Sequence, residues 1–270
     1  MREHACQLGP HQQLAGIVTE PSVSARPISC LLINAGLVPK FGPYRIYAQL
    51  ARSLAYEGFR TLRIDLGGLG DSPLVNSHEP LCERTAREIA IAIDHLQTLG
   101  DFEGVIVGGL CSGADDALRH AEHDARVTGV VLVDPFSYST PSSRRRYLAM
   151  RLVGRTLRTL LAYRTRPRAA SLGVRDVHLV EYRYMEQPES RRILAALLDR
   201  GVHVHFVYTG GMRDKFNHPF QLQQMFPDLD LSKRVTLDHF PRTEHTQVLA
   251  EDRAALVEAI TRRLTLAGPR

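Results

Sequence analysis

The chain has 270 residues, 44% of them hydrophobic, which is room for one large α/β domain or two small ones with a sizeable core. No stretch approaches the roughly 18 uncharged apolar residues of a membrane-spanning helix, and Met1–Gln7 carries no apolar leader core, so integral membrane association and secretion are not expected and a cytoplasmic setting is. The formal net charge of +5 is unevenly placed: residues 135–175 hold ten Arg and no Asp, Glu or Lys, and the remainder is mildly acidic, which argues against a general nucleic-acid-binding surface.

In chain order, Ala5–Leu8 and Gln13–Val18 alternate weakly and read as two early strands. Ile28–Asn34 is a continuous apolar run, as expected of a parallel strand covered on both faces. Tyr44–Glu57 places Ile46, Tyr47, Leu50 and Leu54 at helical spacing, with Gly58 as a C-terminal stop. Phe59–Ile64 reads as a strand ending at Asp65. Glu83–Leu99 is an amphipathic helix through Ala86, Ile89, Ala90, Ile93 and Leu96. Val105–Gly108 is a buried strand, Ala114–His123 a helix, and Val127–Val133 a further buried strand ending at Asp134. The alternation stops after Phe136 for roughly 60 residues. It resumes with strands at Val202–Tyr208 and Arg234–Phe240 and a helix over Ala250–Leu264. Alternating strands and helices predict a mostly parallel, doubly wound sheet. The core is expected over 1–136 and 200–270, with a helical lid inserted over 137–199.

The most informative segment is Gly108-Gly109-Leu110-Cys111-Ser112-Gly113-Ala114, directly after Val105-Ile106-Val107. A strand running into a glycine-flanked turn and then a helix is the setting of a nucleophile elbow. With Cys111 at its apex the flanking small residues are Gly109 and Gly113. With Ser112 at the apex they would be Leu110 and Ala114, a poorer fit to a crowded turn. The third reading is an inert buried thiol in a glycine-rich turn.

The order of features resembles the α/β-hydrolase superfamily. Ile28–Gly36 is similar to the strand and loop that supply one oxyanion donor, with Asn34-Ala35-Gly36 where His-Gly is frequent. Arg63-Ile64-Asp65-Leu66-Gly67-Gly68-Leu69-Gly70-Asp71-Ser72 resembles the D-x-R-G-x-G-x-S turn, with Leu66-Gly67 replacing the usual pair. Val202–Tyr208 followed by Gly210-Gly211-Met212-Arg213-Asp214 is placed like the strand and loop of the catalytic acid. Glu244-His245-Thr246, before the last helix, is placed like the catalytic His. Several branches carry Cys at the elbow: dienelactone hydrolases, polyhydroxyalkanoate synthases, bile-acid-CoA acyltransferases and hydrolases linked to bacterial exopolysaccharide export. The wording Gly-Leu-Cys-Ser-Gly-Ala and the Glu-His-Thr ending resemble the last.

The resemblance implies roles. Cys111 would be the nucleophile, His245 the general base and acid, and Asp214 the carboxylate that orients His245. Asp134, Glu181 and Glu186 are rivals for the acid, Asp134 because that strand end also carries it in this fold. The backbone amides of Leu37 and Ser112 would form the oxyanion hole. Asn34 would brace or cap its loop, and Asp65 and Asp71 read as structural turn residues. The implied activity is acyl transfer through an acyl-Cys intermediate, as thioesterase, esterase or acyltransferase. The rival class is a catalytically idle fold of this kind that binds a ligand or partner, against which the three competent residue types speak.

No cofactor or metal is called for: the four cysteines are widely spaced, and His203 and His205 share one strand face without a third ligand. In the insertion, Ser143–Arg164 can be drawn as a helix with Arg151, Arg155 and Arg158 on one face and Ala149, Val153, Leu157, Leu160 and Leu161 on the other. Three readings stay open for that face beside a merely solvated one. These are the phosphates of coenzyme A, the acidic surface of an acyl carrier protein, and anionic lipid.

Overall fold

A computed structural model describes residues 1–75, 78–161 and 184–267, with side chains for all of these except 153–161 and 267. Eight strands form one sheet: β1 (Arg2–Leu8), β2 (Leu14–Glu20), β3 (Ile28–Leu32), β4 (Thr61–Ile64), β5 (Gly104–Leu110), β6 (Val127–Val133), β7 (His203–Thr209) and β8 (Val235–Phe240). Their spatial order is β1-β2-β4-β3-β5-β6-β7-β8. The first two strands run antiparallel, and every pair from β4 to β8 is parallel.

Helices cover both faces, and the period-2 alternation of the strands divides the core between them. On one face, α1 (Ile46–Tyr56) and α7 (Ala250–Ala267) pack Tyr47, Leu50, Leu54, Leu256 and Ile260 against Cys30, Leu32, Ile106, Val131 and Val207. On the other, α2 (Leu81–Thr98), α3 (Ser112–His123) and α5 (Gln187–Asp199) pack Ile89, Ile93, Ala117, Leu118, Ile193 and Leu197 against Leu31, Leu62, Val107, Val130 and Phe206. The central strands β3 and β5 are buried along their whole length, which is why they read as unbroken apolar runs.

Several helix starts differ from expectation by two residues, two of them at local backbone features. The first helix begins at Ile46 because Pro43–Arg45 form a 3-10 turn with Tyr44 and Arg45 at positive φ. The helix expected from Ala114 begins at Ser112, immediately after the elbow residue.

The long interruption after Phe136 divides in two. Pro141–Leu161 is helix α4, and residues 162–183 lie outside the described residues. Within the expected 137–199 lid, α5 is the crossover helix returning the chain to β7, with Ser190, Ile193, Leu194 and Leu197 buried on the sheet. A short helix, α6 (Gln221–Met225), follows β7. Among the described residues no helix is long and apolar enough to cross a membrane.

Candidate active site

Cys111 sits at the C-terminal tip of β5, one residue before α3, with φ 57 and ψ −122. A non-glycine residue with positive φ and extended ψ is strained and persists only where its surroundings hold it. Here its N–H donates to Val133 O at 2.9 Å, and the preceding Leu110 N–H donates to the buried Tyr47 hydroxyl at 2.8 Å. The flanking glycines are required by crowding. A Cβ on Gly109 would lie 2.3 Å from the Gly113 carbonyl carbon, and one on Gly113 would lie 2.1 Å from Asn34 O. The N-terminus of α3 abuts Cys111, so the positive end of the helix dipole lies beside it. Ser112 occupies the first turn of α3, and its Oγ accepts from Gly36 N–H at 2.9 Å.

His245 lies in the loop after β8 and joins the elbow to a buried carboxylate. Its Nδ1 is 2.8 Å from Asp134 Oδ2, and the side chain of Cys111 lies near enough to its ring to influence it. The Asp134 hydrogen bond, then the nearby Cys111, outweigh partial burial and push His245 up to about 10. Asp134 follows β6 and is 2% exposed. Its Oδ1 accepts from Thr209 N–H at 2.6 Å and its Oδ2 from the Thr209 hydroxyl at 2.7 Å. Gly210 and Gly211 let the His loop close over β7. A Cβ on Gly211 would lie 2.4 Å from His245 N, and one on Gly210 would lie 2.1 Å from Pro241 O.

Asp214 is the correction. It stands exposed in the turn after Gly210–Met212, while the partner of His245 Nδ1 is Asp134. The acid was expected in the loop after β7. The tip of β7 carries Thr209, and the carboxylate enters from the neighbouring tip of β6. Glu186 is exposed just before α5, and Glu181 lies outside the described residues.

The loop after β3 reaches the elbow through Gly36, whose φ of +57 suits glycine. Among the described residues, the amides of Leu37 and Ser112 are bonded to no protein acceptor. A buried polar cluster fixes this loop. Asn34 donates to Val38 O at 2.9 Å and to Asp65 Oδ1 at 3.2 Å, and accepts from Leu66 N–H at 2.6 Å. Lys40 reaches Asp65 at 2.6 Å and Asp71 at 2.5 Å. Lys40, Tyr47 and Thr209 were not among the site residues expected from the sequence. The two glycines after Thr209 were the available signal for close approach at that strand end.

The two strand histidines have other neighbours: His205 Nδ1 is 2.8 Å from Thr236 Oγ1, and His203 Nε2 is 2.5 Å from Arg234. Among the described residues there is no group of three or more His, Cys, Asp or Glu placed to hold a metal ion. Arg151 is exposed on α4, its guanidinium 5.8 Å from the Tyr147 ring centre. The side chains of Arg155 and Arg158 lie outside the described residues.

A mostly parallel sheet with a strained elbow after β5 and a histidine loop after its last strand defines an α/β-hydrolase. The chain belongs to the family described as serine aminopeptidase, S33, whose profile matches residues 36–205. Its structure is similar to an α/β serine hydrolase without a lid from Xanthomonas campestris, at 13% identity, TM-score 0.61, covering 100% of this chain and 97% of that one. It is also similar to Est1E from Butyrivibrio proteoclasticus, at 12% identity, TM-score 0.60, covering 98% and 99%. A third likeness is to the esterase domain of a Rhodothermus marinus protein, at 14% identity, TM-score 0.57, covering 98% of each chain. At such identities the likeness is one of fold. No curated protein is close enough in sequence to be matched. The family's description names a serine enzyme. In this chain the strained apex is Cys111, and the serine stands one residue later, inside α3.

Proposed function

We propose that the chain hydrolyses esters or thioesters through an acyl-Cys111 intermediate, with His245 as proton carrier and Asp134 as its orienting carboxylate. The observation that carries this reading is His245 itself, hydrogen-bonded to buried Asp134 and near the residue at the strained elbow. A histidine raised this far holds its proton at neutral pH and stabilises a neighbouring thiolate. The sulfur attacks the acyl carbonyl, and the amides of Leu37 and Ser112 receive the developing oxyanion. His245 gives its proton to the departing alcohol or thiol as the carbon–oxygen or carbon–sulfur bond breaks. In the second half, His245 takes a proton from water as it attacks the acyl-Cys111 carbonyl. The acid departs and the thiolate–imidazolium pair returns. An alcohol or amine in place of that water would make the same intermediate an acyl donor, the acyltransferase form of the reaction. Cys111 is preferred to Ser112 because the strain and the His245 contact fall on Cys111, whereas the Ser112 hydroxyl is engaged by Gly36.

Intact-protein mass spectrometry after mixing with p-nitrophenyl esters and acyl-coenzyme A thioesters tests this. The acyl adduct is expected in the wild type and in Ser112→Ala, and absent from Cys111→Ala. An adduct that survives Cys111→Ala and is lost in Ser112→Ala overturns the assignment.

A further inference from the structure

Helix α4 joins strong positive charge to exposed apolar side chains over residues 144–152. Its first turn is tied down: Ser143 is buried, Asn217 donates to Ser143 O at 2.9 Å, and the Ser142 hydroxyl lies 2.9 Å from His218 Nε2. Beyond that root, eight of the nine side chains over residues 144–152 are exposed. Arg144, Arg145, Arg146 and Arg151 are exposed, as are Leu148, Met150 and Leu152 at 59%, 45% and 65%.

Helical spacing arranges these residues as a patch. Leu148 has Arg144 four residues before it, Arg145 three before, Arg151 three after and Leu152 four after. A leucine pair is thus bracketed by three guanidinium groups. Tyr147, lying against Arg151, adds an amphipathic ring at the edge. The whole segment 135–175 contains no acidic residue to neutralise them.

We infer that α4 docks on an anionic lipid bilayer, with Leu148 and Leu152 entering between the headgroups and Arg144, Arg145 and Arg151 on the lipid phosphates. A bilayer offers both halves of the required complement at once, anionic headgroups at the surface and hydrocarbon beneath. A soluble phosphate ligand would meet the arginines and leave the leucines in water. Helix α4 begins seven residues after Asp134, and its root is bound to the segment that follows β7, so the helix is rooted at the end of the sheet that carries Cys111. Resting on the proposed activity, this placement makes the substrate class acyl esters or thioesters held in the membrane rather than freely soluble ones.

The test is co-sedimentation of the full chain with vesicles of phosphatidylcholine alone and of phosphatidylcholine with phosphatidylglycerol, across a range of salt. Three proteins are compared: wild type, the triple variant Arg144→Glu, Arg145→Glu, Arg151→Glu, and the double variant Leu148→Ser, Leu152→Ser. Each is checked by cooperative thermal unfolding and by turnover of a short p-nitrophenyl ester without vesicles. Wild type is expected to partition onto the anionic vesicles, less so as salt rises. The triple variant is expected to lose about a hundredfold in partitioning, at about fivefold per arginine, and the double variant about tenfold. Equal binding to both vesicle types, or undiminished binding by the folded triple variant, overturns the inference. So does absence of vesicle binding together with capture of an acidic acyl carrier protein. Loss of ester turnover with vesicle binding intact would instead sink the catalytic reading and leave the docking in place.

Discussion

Thr209 grips both oxygens of Asp134, its N–H on Oδ1 at 2.6 Å and its hydroxyl on Oδ2 at 2.7 Å. With His245 Nδ1 on the same Oδ2, the carboxylate is buried and both of its oxygens are engaged. The two strand tips, β6 and β7, therefore share the work of holding one histidine, and the exposed Asp214 takes no part in it.

Asp134→Asn is expected to lower kcat on a p-nitrophenyl ester by about a thousandfold, because an amide holds the wrong imidazole tautomer and cannot stabilise imidazolium. Asp214→Asn should leave kcat and KM within about twofold. Steady-state kinetics on the two variants decides between the two carboxylates. A large loss in Asp214→Asn with little in Asp134→Asn would reverse the assignment.

Because His245 is pushed from its ordinary 6.5 up to about 10, folding favours its protonated form. The stabilisation it brings is complete below pH 6.5 and fades as pH rises toward and through 10. The difference in unfolding free energy between wild type and His245→Gln is thus expected to shrink steadily over that interval. Urea denaturation at several pH values from 6 to 10 measures it, and a difference that stays flat or grows with pH contradicts the pairing.

Thiol reactivity should separate the cysteines. Burial pushes the Cys30 thiol far above its usual range and raises that of Cys6. Cys111 is partly exposed and borders His245. Iodoacetamide near pH 7 is expected to label Cys111 well ahead of Cys6 and to leave Cys30 unlabelled in the folded chain. His245→Ala should slow Cys111 labelling by about tenfold or more. Peptide mapping by mass spectrometry gives the site-resolved rates.

Gly109→Ala and Gly113→Ala should each destabilise the fold by about 3 kcal/mol. The new methyl would meet the Gly113 backbone in the first case and Asn34 O in the second, and neither can move aside as a side chain could. Chemical denaturation is the measurement, and a loss below about 0.5 kcal/mol would show that the elbow is less crowded than its geometry indicates.

Lys40→Met is expected to cost about 3 kcal/mol, since it leaves the fully buried Asp65 without its cation. Asp71→Asn should cost much less, its carboxylate being open to water. Because the same cluster holds the loop that carries Leu37, Lys40→Met should also lower kcat at temperatures where the variant remains folded.

Much of this was legible along the chain because it is written in local pattern. The apolar runs of β3, β5, β6 and β7 announce strands buried on both faces, and the 3.6-residue spacing of Ile89, Ile93 and Leu96 announces α2. The elbow is legible for the same reason: Gly109 and Gly113 are both demanded by contacts within a few residues of Cys111 or by the adjacent loop. Helix α5 was not read as an element of its own, since it lies in the 137–199 stretch where the alternation of strands and helices breaks off.

By itself the sequence determined the alternating α/β order, the strained turn at Cys111 and the histidine before the last helix, because each depends on residues close together along the chain. Only the tertiary structure decided which carboxylate meets His245. Asp134 and His245 are separated by 111 positions. Their meeting depends on β6 and β7 lying side by side in register, on Thr209 at the tip of β7 holding the carboxylate, and on Gly210 and Gly211 allowing the histidine loop to close within contact. A carboxylate's partner is set by which strand ends adjoin across the sheet, and no spacing along the chain encodes that directly.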